Sequence, residues 1–261
     1  MKKGKLYLVG LPIGNWEDMP PRALRYITTA KNIVMESEEA FSRIWPRLGI
    51  KKPDANFITI EMVSIEGEPG RSYELDNMKS ILDLLEAGED VHIISDDGMP
   101  GIADPGELIV KEAIANGIDI TATPGPSVAI ASVAVAGCMH NFSFESFLPF
   151  EKEERIKYIA QRKYLHCPMV FVLRNTKRSH SNKTEYSSEI PEFLKESAEV
   201  LGSERQAVLC YNLTKINEKV VRGTLQELGV YFDSTPREPD LITIVIDTQG
   251  GSFNHEKRFS V

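Results

Sequence analysis

Nowhere in the 261 residues does an apolar run approach the length of about eighteen residues that a membrane-spanning helix needs. Met1-Lys2-Lys3-Gly4 leads straight into a strand pattern, without the apolar core of a secretory signal. A soluble, cytoplasmic chain with no membrane attachment is the expectation. Cysteine is scarce: Cys138, Cys167 and Cys210 are odd in number, far apart and in apolar surroundings. That excludes a disulfide framework and offers no zinc-ligand spacing. The five histidines are scattered, so neither a metal cluster nor a hydrolase triad has support, and no metal is expected. No strand is followed by G-x-G-x-x-G, and no P-loop Lys-Ser/Thr occurs, which argues against dinucleotide and nucleoside triphosphate binding.

Positive charge is also short overall, 30 Lys and Arg against 38 Asp and Glu. Its distribution is uneven. Residues 1–150 hold 13 basic and 22 acidic side chains, whereas residues 151–184 hold nine basic and three acidic ones. One short basic region on an acidic chain reads either as a solvated helix and loop or as a landing place for phosphates.

What the chain has in plenty is strand-loop-helix turns built from Gly and Pro. The central one follows an apolar strand (Val91, Ile93, Ile94) and reads Ser95-Asp96-Asp97-Gly98-Met99-Pro100-Gly101-Ile102-Ala103-Asp104-Pro105-Gly106 before helix resumes at Leu108. A strand at residues 118–121 leads into Pro124-Gly125-Pro126-Ser127, and a strand at residues 6–10 ends in Leu11-Pro12-Ile13-Gly14-Asn15, with Asp18 as cap of the next helix. Such turns bring main-chain groups to the carboxyl ends of strands, where open α/β sheets bind ligands. The central loop reads as the floor of a cofactor site.

Further along, strands are expected at residues 32–36, 56–60, 142–147, 169–173, 207–211 and 241–246, and a turn or hairpin before Gly223. Helices are expected from Ser72 (Leu75, Met78, Leu82 and Leu85 on one face) and over residues 127–137, 153–165 and 190–201. Residues 66–70 read as a mobile covering loop and residues 175–188 as a polar loop. Leu148-Pro149-Phe150 reads as a domain boundary, giving domains over residues 1–147 and 148–248 and a disordered tail over residues 249–261. The fold class is α/β, in two α/β domains.

The strings Leu8-Val9-Gly10-Leu11-Pro12-Ile13-Gly14-Asn15-Trp16-Glu17-Asp18 and Arg22-Ala23-Leu24 resemble the N-terminal signature of the tetrapyrrole-methylase superfamily. Its branch that methylates a cytidine ribose 2'-hydroxyl in bacterial small-subunit ribosomal RNA is the most similar. Residues 95–106, Pro124-Gly125-Pro126-Ser127, Phe147-Leu148-Pro149, Glu154-Arg155, Leu213-Thr214-Lys215 and Arg222-Gly223-Thr224-Leu225 follow in the same order. The chain differs at Glu36-Ser37-Glu38-Glu39, at residues 60–64, at Leu173-Arg174-Asn175-Thr176-Lys177 and at Asn212, positions where that branch would hold its substrate.

The resemblance implies a homodimer that binds S-adenosylmethionine in a cleft between two α/β domains. It implies cofactor contacts from Pro12, Asp96, Gly98, Met99, Gly101 and Ile102, from Ser127 and Val128, and from Leu173 and Asn212. Pro12 and Gly98 equally suit plain turns, and Leu173 equally suits a core.

Methyl transfer to a hydroxyl needs in-line approach, exclusion of water and a proton acceptor. Glu36 and Asp97 are the candidate bases and Lys215 the candidate cation at the developing alkoxide, while Arg174, Lys177, Arg178 and Arg222 are candidates for RNA phosphates. Asp97 equally reads as a surface carboxylate or a helix cap. Asp96, Asp97 and Asp104 together admit a Mg²⁺ reading, though without a phosphate-cradling motif. Ribosomal RNA methylation is the leading reading. A methylase for a small molecule, peptide or tetrapyrrole, or an inactive cofactor- or RNA-binding module, stays open beside it.

Overall fold

Short Val, Ile and Leu runs bounded by Gly and Pro suit strands covered on both faces, and the computed structural model of the chain contains such a sheet. It describes residues 2–36, 42, 44–60, 62–64, 73–138, 141–149, 151–180, 183–188, 190–234 and 241–248, with side chains at all of these except 62–64, 73–75, 174–180, 183–188, 233, 234 and 241. The chain divides into two compact units, Met1–Ser127 and Val128–Val261.

The first unit carries strands β1 (Lys5–Val9), β2 (Asn32–Met35), β3 (Asn56–Thr59), β6 (Val91–Ile94) and β7 (Asp119–Thr123) in the order β3-β2-β6-β1-β7. Every neighbouring pair is parallel. Alternate residues of these strands face opposite ways. Leu6, Val34, Val91 and Ile93 pack with Ile81 and Leu85 of α3 (Met78–Glu86) and Ile109 and Ala113 of α4 (Gly106–Ala115). Val9, Ile33, Met35 and Ile94 pack with Ala23 and Ile27 of α1 (Pro21–Thr29) and with Ile44 and Trp45 of α2 (Ile44–Leu48). Strands β4 (Met62–Ser64) and β5 (Tyr73–Leu75) form a separate antiparallel ribbon.

All five carboxyl ends therefore lie on one edge. From β2 the chain moves outward to β3, while from β6 it crosses β1 to reach β7. The loops leaving the adjacent strands β2 and β6 thus diverge, which makes their ends the topological switch point of the sheet.

The second unit is a mixed sheet in the order β10-β9-β13-β11-β12: β9 (Met169–His180), β10 (Lys183–Ser188), β11 (Gln206–Tyr211), β12 (Lys219–Thr224) and β13 (Leu241–Ile246) are antiparallel, and β8 (Ser143–Phe147) joins β9 in parallel. Phe171, Leu173, Leu209 and Ile244 meet Ile159, Phe193, Leu194 and Leu228 from α6 (Lys152–Gln161), α7 (Ile190–Leu201) and α8 (Leu225–Ser234). Helix α5 (Val128–Ala136) packs on β13, where the Ser132 and Thr243 hydroxyls share a hydrogen bond of 2.6 Å.

Several elements differ from the sequence reading. The division between units falls after Ser127 rather than after Phe147, because α5 packs on β13 and β8 pairs with β9. Asp18 does not cap α1: it closes a 3-10 turn capped by Asn15, whose side-chain oxygen accepts from the Glu17 N–H, and Pro20 stands at the α1 N-cap. Leu75 lies in β5 rather than in α3, which starts at Met78 after a left-handed Asn77. Residues 175–180 and 183–188, read as parts of a loop, pair antiparallel in β9 and β10, with Lys177 opposite Tyr186 and Arg178 opposite Glu185. Helix α8 was not expected, although its signal is legible: the Thr224 N–H donates to Glu227 Oε2 and the Glu227 N–H to Thr224 Oγ1, a capping box. The loop at 66–70 and the tail at 249–261 lie outside the described residues.

Candidate active site

Three Gly/Pro turns leave β1, β6 and β7 at the same sheet edge, and they are packed main chain against main chain. A β-carbon on Gly10 would lie 2.7 Å from Gly125 Cα, and the Leu11 N–H donates to the Gly98 carbonyl at 2.7 Å. Gly98 itself has φ +76°, a conformation that side-chain-bearing residues avoid, and a β-carbon there would lie 3.4 Å from the Pro126 carbonyl oxygen. The first, central and third turns thus form one platform. Pro12 is buried in it, Ser127 and Met99 are half-buried, and Ile102 is 59% exposed on the central loop. Val128 opens helix α5 of the second unit.

Asp104 shapes the central loop from within. Its Oδ1 accepts from the Gly106 N–H at 2.7 Å and the Gly101 N–H at 3.0 Å, joining the loop to the first turn of α4. That oxygen is committed to main-chain donors, which weakens the Mg²⁺ reading of the aspartates. The sequence analysis missed this role. Its signal is an Asp two residues before the first residue of a helix.

Glu36 stands at the end of β2, across the switch point from β6. Its Oε1 accepts from the Asp96 N–H at 3.3 Å. Burial, a hydrogen bond to Asp104, and the charges of Asp104 and Asp96 push its carboxyl up to about 8. Asp96 and Asp97 are both exposed. Glu36 and Asp96 therefore meet at this edge. Glu38 and Glu39 lie outside the described residues.

In the second unit the candidates separate by environment. The Leu173 side chain is fully buried in the core, so only its main chain is available to a ligand. Asn212 ends β11 with φ +48° and is buried, and its Oδ1 has no hydrogen-bond partner among the described residues. A buried acceptor in this state calls for an N–H or O–H donor. Lys215 follows in a tight turn, its N–H donating to the Asn212 carbonyl, while the Thr214 N–H donates to Glu218 Oε2 at 2.6 Å. Arg222 is exposed on β12, and its guanidinium donates to the Val135 carbonyl at the end of α5.

The basic stretch is less available than its composition implies. Arg155 is buried, with Nε and Nη2 donating to Glu196 at 2.6 and 2.8 Å. Arg162 donates to the buried Glu145, beside the Tyr158 hydroxyl. Lys152 and Lys157 are exposed on α6. Arg174, Lys177 and Arg178 lie on β9, in a stretch whose side chains are not described.

A sheet edge made of close-packed main chain, with few side chains able to do covalent chemistry, suits an enzyme that holds a co-substrate for group transfer. Solved structures share the fold. A diphthine synthase superimposes with a TM-score of 0.64 at 15% identity, covering 94% of this chain and 90% of its own. A cobalt precorrin-4 methyltransferase of cobalamin biosynthesis gives 0.58 at 17%, covering 93% and 94%. The chain belongs to the tetrapyrrole methylases: the family model Tetrapyrrole (Corrin/Porphyrin) Methylases matches residues 5–229. It is accordingly a methyltransferase, of a family whose methyltransferases use S-adenosylmethionine.

Its similarity to individual members is more specific. It is 33% identical over 249 residues to the ribosomal RNA small subunit methyltransferase I of Xylella fastidiosa, covering 93% of this chain and 81% of the relative. To the protein of that name in Thermotoga maritima it is 32% identical over 231 residues, covering 88% and 92%. Among the described residues no helix is long and apolar enough to cross a membrane.

Proposed function

We propose that this chain transfers the methyl group of S-adenosylmethionine to a ribose 2'-hydroxyl of small-subunit ribosomal RNA, as a cytoplasmic homodimer. The observation that carries the cofactor reading is the joined platform of turns, in which Gly10 and Gly125 leave no room for side chains between the strand ends and Gly98 takes a positive φ of +76°. Gly101 has φ +82°, a conformation that side-chain-bearing residues avoid, and a β-carbon there would lie 3.8 Å from Glu107 N and Val110 Cγ2. The residues fit the group: main-chain N–H and C=O donors and acceptors suit the amino acid moiety, and the buried Asn212 Oδ1 suits an adenosine donor.

S-adenosylmethionine, when bound, supplies an electrophilic methyl on a sulfonium. In this reading Pro12, Asp96, Gly98, Met99, Gly101, Ile102, Ser127 and Val128 hold and orient it, and Leu173 contributes through its main chain. Glu36 accepts the proton of the attacking hydroxyl: its carboxyl, pushed up to about 8, is matched to that task near neutral pH. Asp97 is the second candidate base, and Lys215 stabilises the developing oxyanion. Arg174, Lys177, Arg178 and Arg222 hold phosphates. The named relatives support the RNA substrate.

The deciding experiment is a calorimetric titration with S-adenosylmethionine of the unchanged chain and of Gly101→Leu, followed by transfer of labelled methyl to small ribosomal subunits. Saturable binding lost in the variant, with label in the small-subunit RNA, is expected. Equal binding by both proteins removes the central loop from the site. Label found only in protein or small molecules overturns the RNA reading.

A further inference from the structure

Asp104 touches two parts of the first unit's sheet edge at once. Its Oδ1 accepts from the Gly101 N–H at 3.0 Å and the Gly106 N–H at 2.7 Å, which ties the central loop to the first turn of α4. Its carboxyl also hydrogen-bonds that of Glu36, which reaches it from just beyond the end of β2. Two carboxyls share a hydrogen bond only when a proton lies between them, because an ionised carboxylate has nothing to donate. Glu36 carries that proton: burial, Asp104 and Asp96 push its carboxyl up to about 8.

The charged groups that act on Glu36 come from the central loop, Asp104 first and then Asp96, whose N–H donates to Glu36 Oε1 at 3.3 Å. Both are acidic, and no cation is among the described groups that shift Glu36. Ser95 and Ile60, which follow the neighbouring strands β6 and β3, are uncharged, and Asp97 is exposed. A loop contact and a carboxyl contact thus meet on one side chain.

We propose that Asp104 is the positioning residue of the proton acceptor: the side chain that fixes the central loop also holds the Glu36 carboxyl and governs when it can take a proton. Its consequence for rate rests on the methyl-transfer reading above, whereas the linkage between the two carboxyls is present without any ligand. In the reaction, the hydroxyl proton passes to a Glu36 carboxylate oxygen while the hydroxyl oxygen bonds the methyl carbon and the sulfur keeps the electron pair of the broken bond. Asp104 then accepts the hydrogen bond of the newly formed acid.

The test uses Asp104→Asn and Asp104→Ser, whose oxygens still accept from the two main-chain N–H groups, so the second serves if the first does not fold. Urea midpoints are measured from pH 5 to 9 without ligand. The unchanged chain should lose stability across that range as Glu36 ionises, and the variants should lose less, because the like charge that keeps Glu36 protonated is gone. In a Glu36→Gln background the same substitutions should leave the slope where Glu36→Gln alone puts it. The rising limb of the methyl-transfer rate should move down by about one pH unit, roughly a tenfold gain relative to the plateau at pH 6. Affinity for S-adenosylmethionine should stay within about threefold of the parent's, since Asn and Ser cap nearly as well as Asp. Slopes in the variants equal to the parent's overturn the proposal, whatever the activity. A shallower slope with a rate limb that stays in place supports the linkage and removes Glu36 as the base, so the two readings fail separately.

Discussion

Gly10 and Gly125, on turns more than a hundred residues apart in sequence, meet so closely that a β-carbon on either would lie 2.7 Å from the other's Cα or carbonyl carbon. The contact joins the turns after β1 and β7, and the Leu11–Gly98 hydrogen bond adds the central loop. A methyl group cannot enter without separating the strand ends. Gly10→Ala and Gly125→Ala should each cost about 1–3 kcal/mol, the usual penalty of overpacking, and should weaken S-adenosylmethionine binding more than a surface change does. Chemical denaturation and calorimetry on the same preparations check both effects, and unchanged values in both would contradict the platform.

The Glu36 carboxyl gives the protein a pH dependence of predictable sign. Its folded value is raised from 4.5 to about 8, by burial first and then by Asp104 and Asp96. The native state therefore binds a proton that the unfolded state has lost, and stability should fall as pH rises between those two values. Glu36→Gln should flatten that slope and be more stable than the unchanged chain at pH 9. If Glu36 is the base, methyl transfer should rise with pH up to about 8 in the unchanged chain and lose that limb in the variant. Urea midpoints and initial rates from pH 5 to 9 test both statements, and parallel curves for the two proteins would refute them.

Arg155 and Glu196 form a two-point ion pair with both side chains nearly inaccessible. Removing either partner alone leaves a buried charge. Glu196→Gln or Arg155→Met should therefore cost about 3–5 kcal/mol, a Tm decrease of roughly 10 °C. Replacing both together with apolar residues of similar volume should recover much of the loss. A scanning thermal melt of the three variants decides it, and single variants as stable as the parent would show that the pair does not carry that weight.

Much of the fold was legible because local patterns carry it. The apolar runs at Val91, Ile93 and Ile94 and at residues 169–173 are strands because both faces are covered, and Pro20 and Pro21 mark the start of α1 because proline suits a helix entrance. The errors arose where pairing between segments outweighed composition. Residues 175–180 and 183–188 are largely polar, yet β9 and β10 satisfy each other's main chain in antiparallel pairing. Residues 143–147 read as the close of the first domain, yet β8 finds its hydrogen-bond partners in β9. For the site, Glu36 was identifiable as an acid after a strand, but its proximity to Asp96 and Asp104 depends on β2 lying beside β6, which no run of residues encodes.

By itself the sequence determined the α/β character of both halves, the three Gly/Pro turns at strand ends and the membership in a methylase family. These follow from periodicity, from backbone freedom at glycine and proline, and from ordered strings, all of which act over a few residues. Only the tertiary structure decided that Gly10 abuts Gly125, that Asp104 holds the central loop, and that Arg155 is spent on Glu196 while Lys152 and Lys157 stay exposed. The physical reason is distance along the chain: whether a charge is solvated or paired, and whether a carboxyl is buried, is set by neighbours that only strand order and helix packing bring within reach.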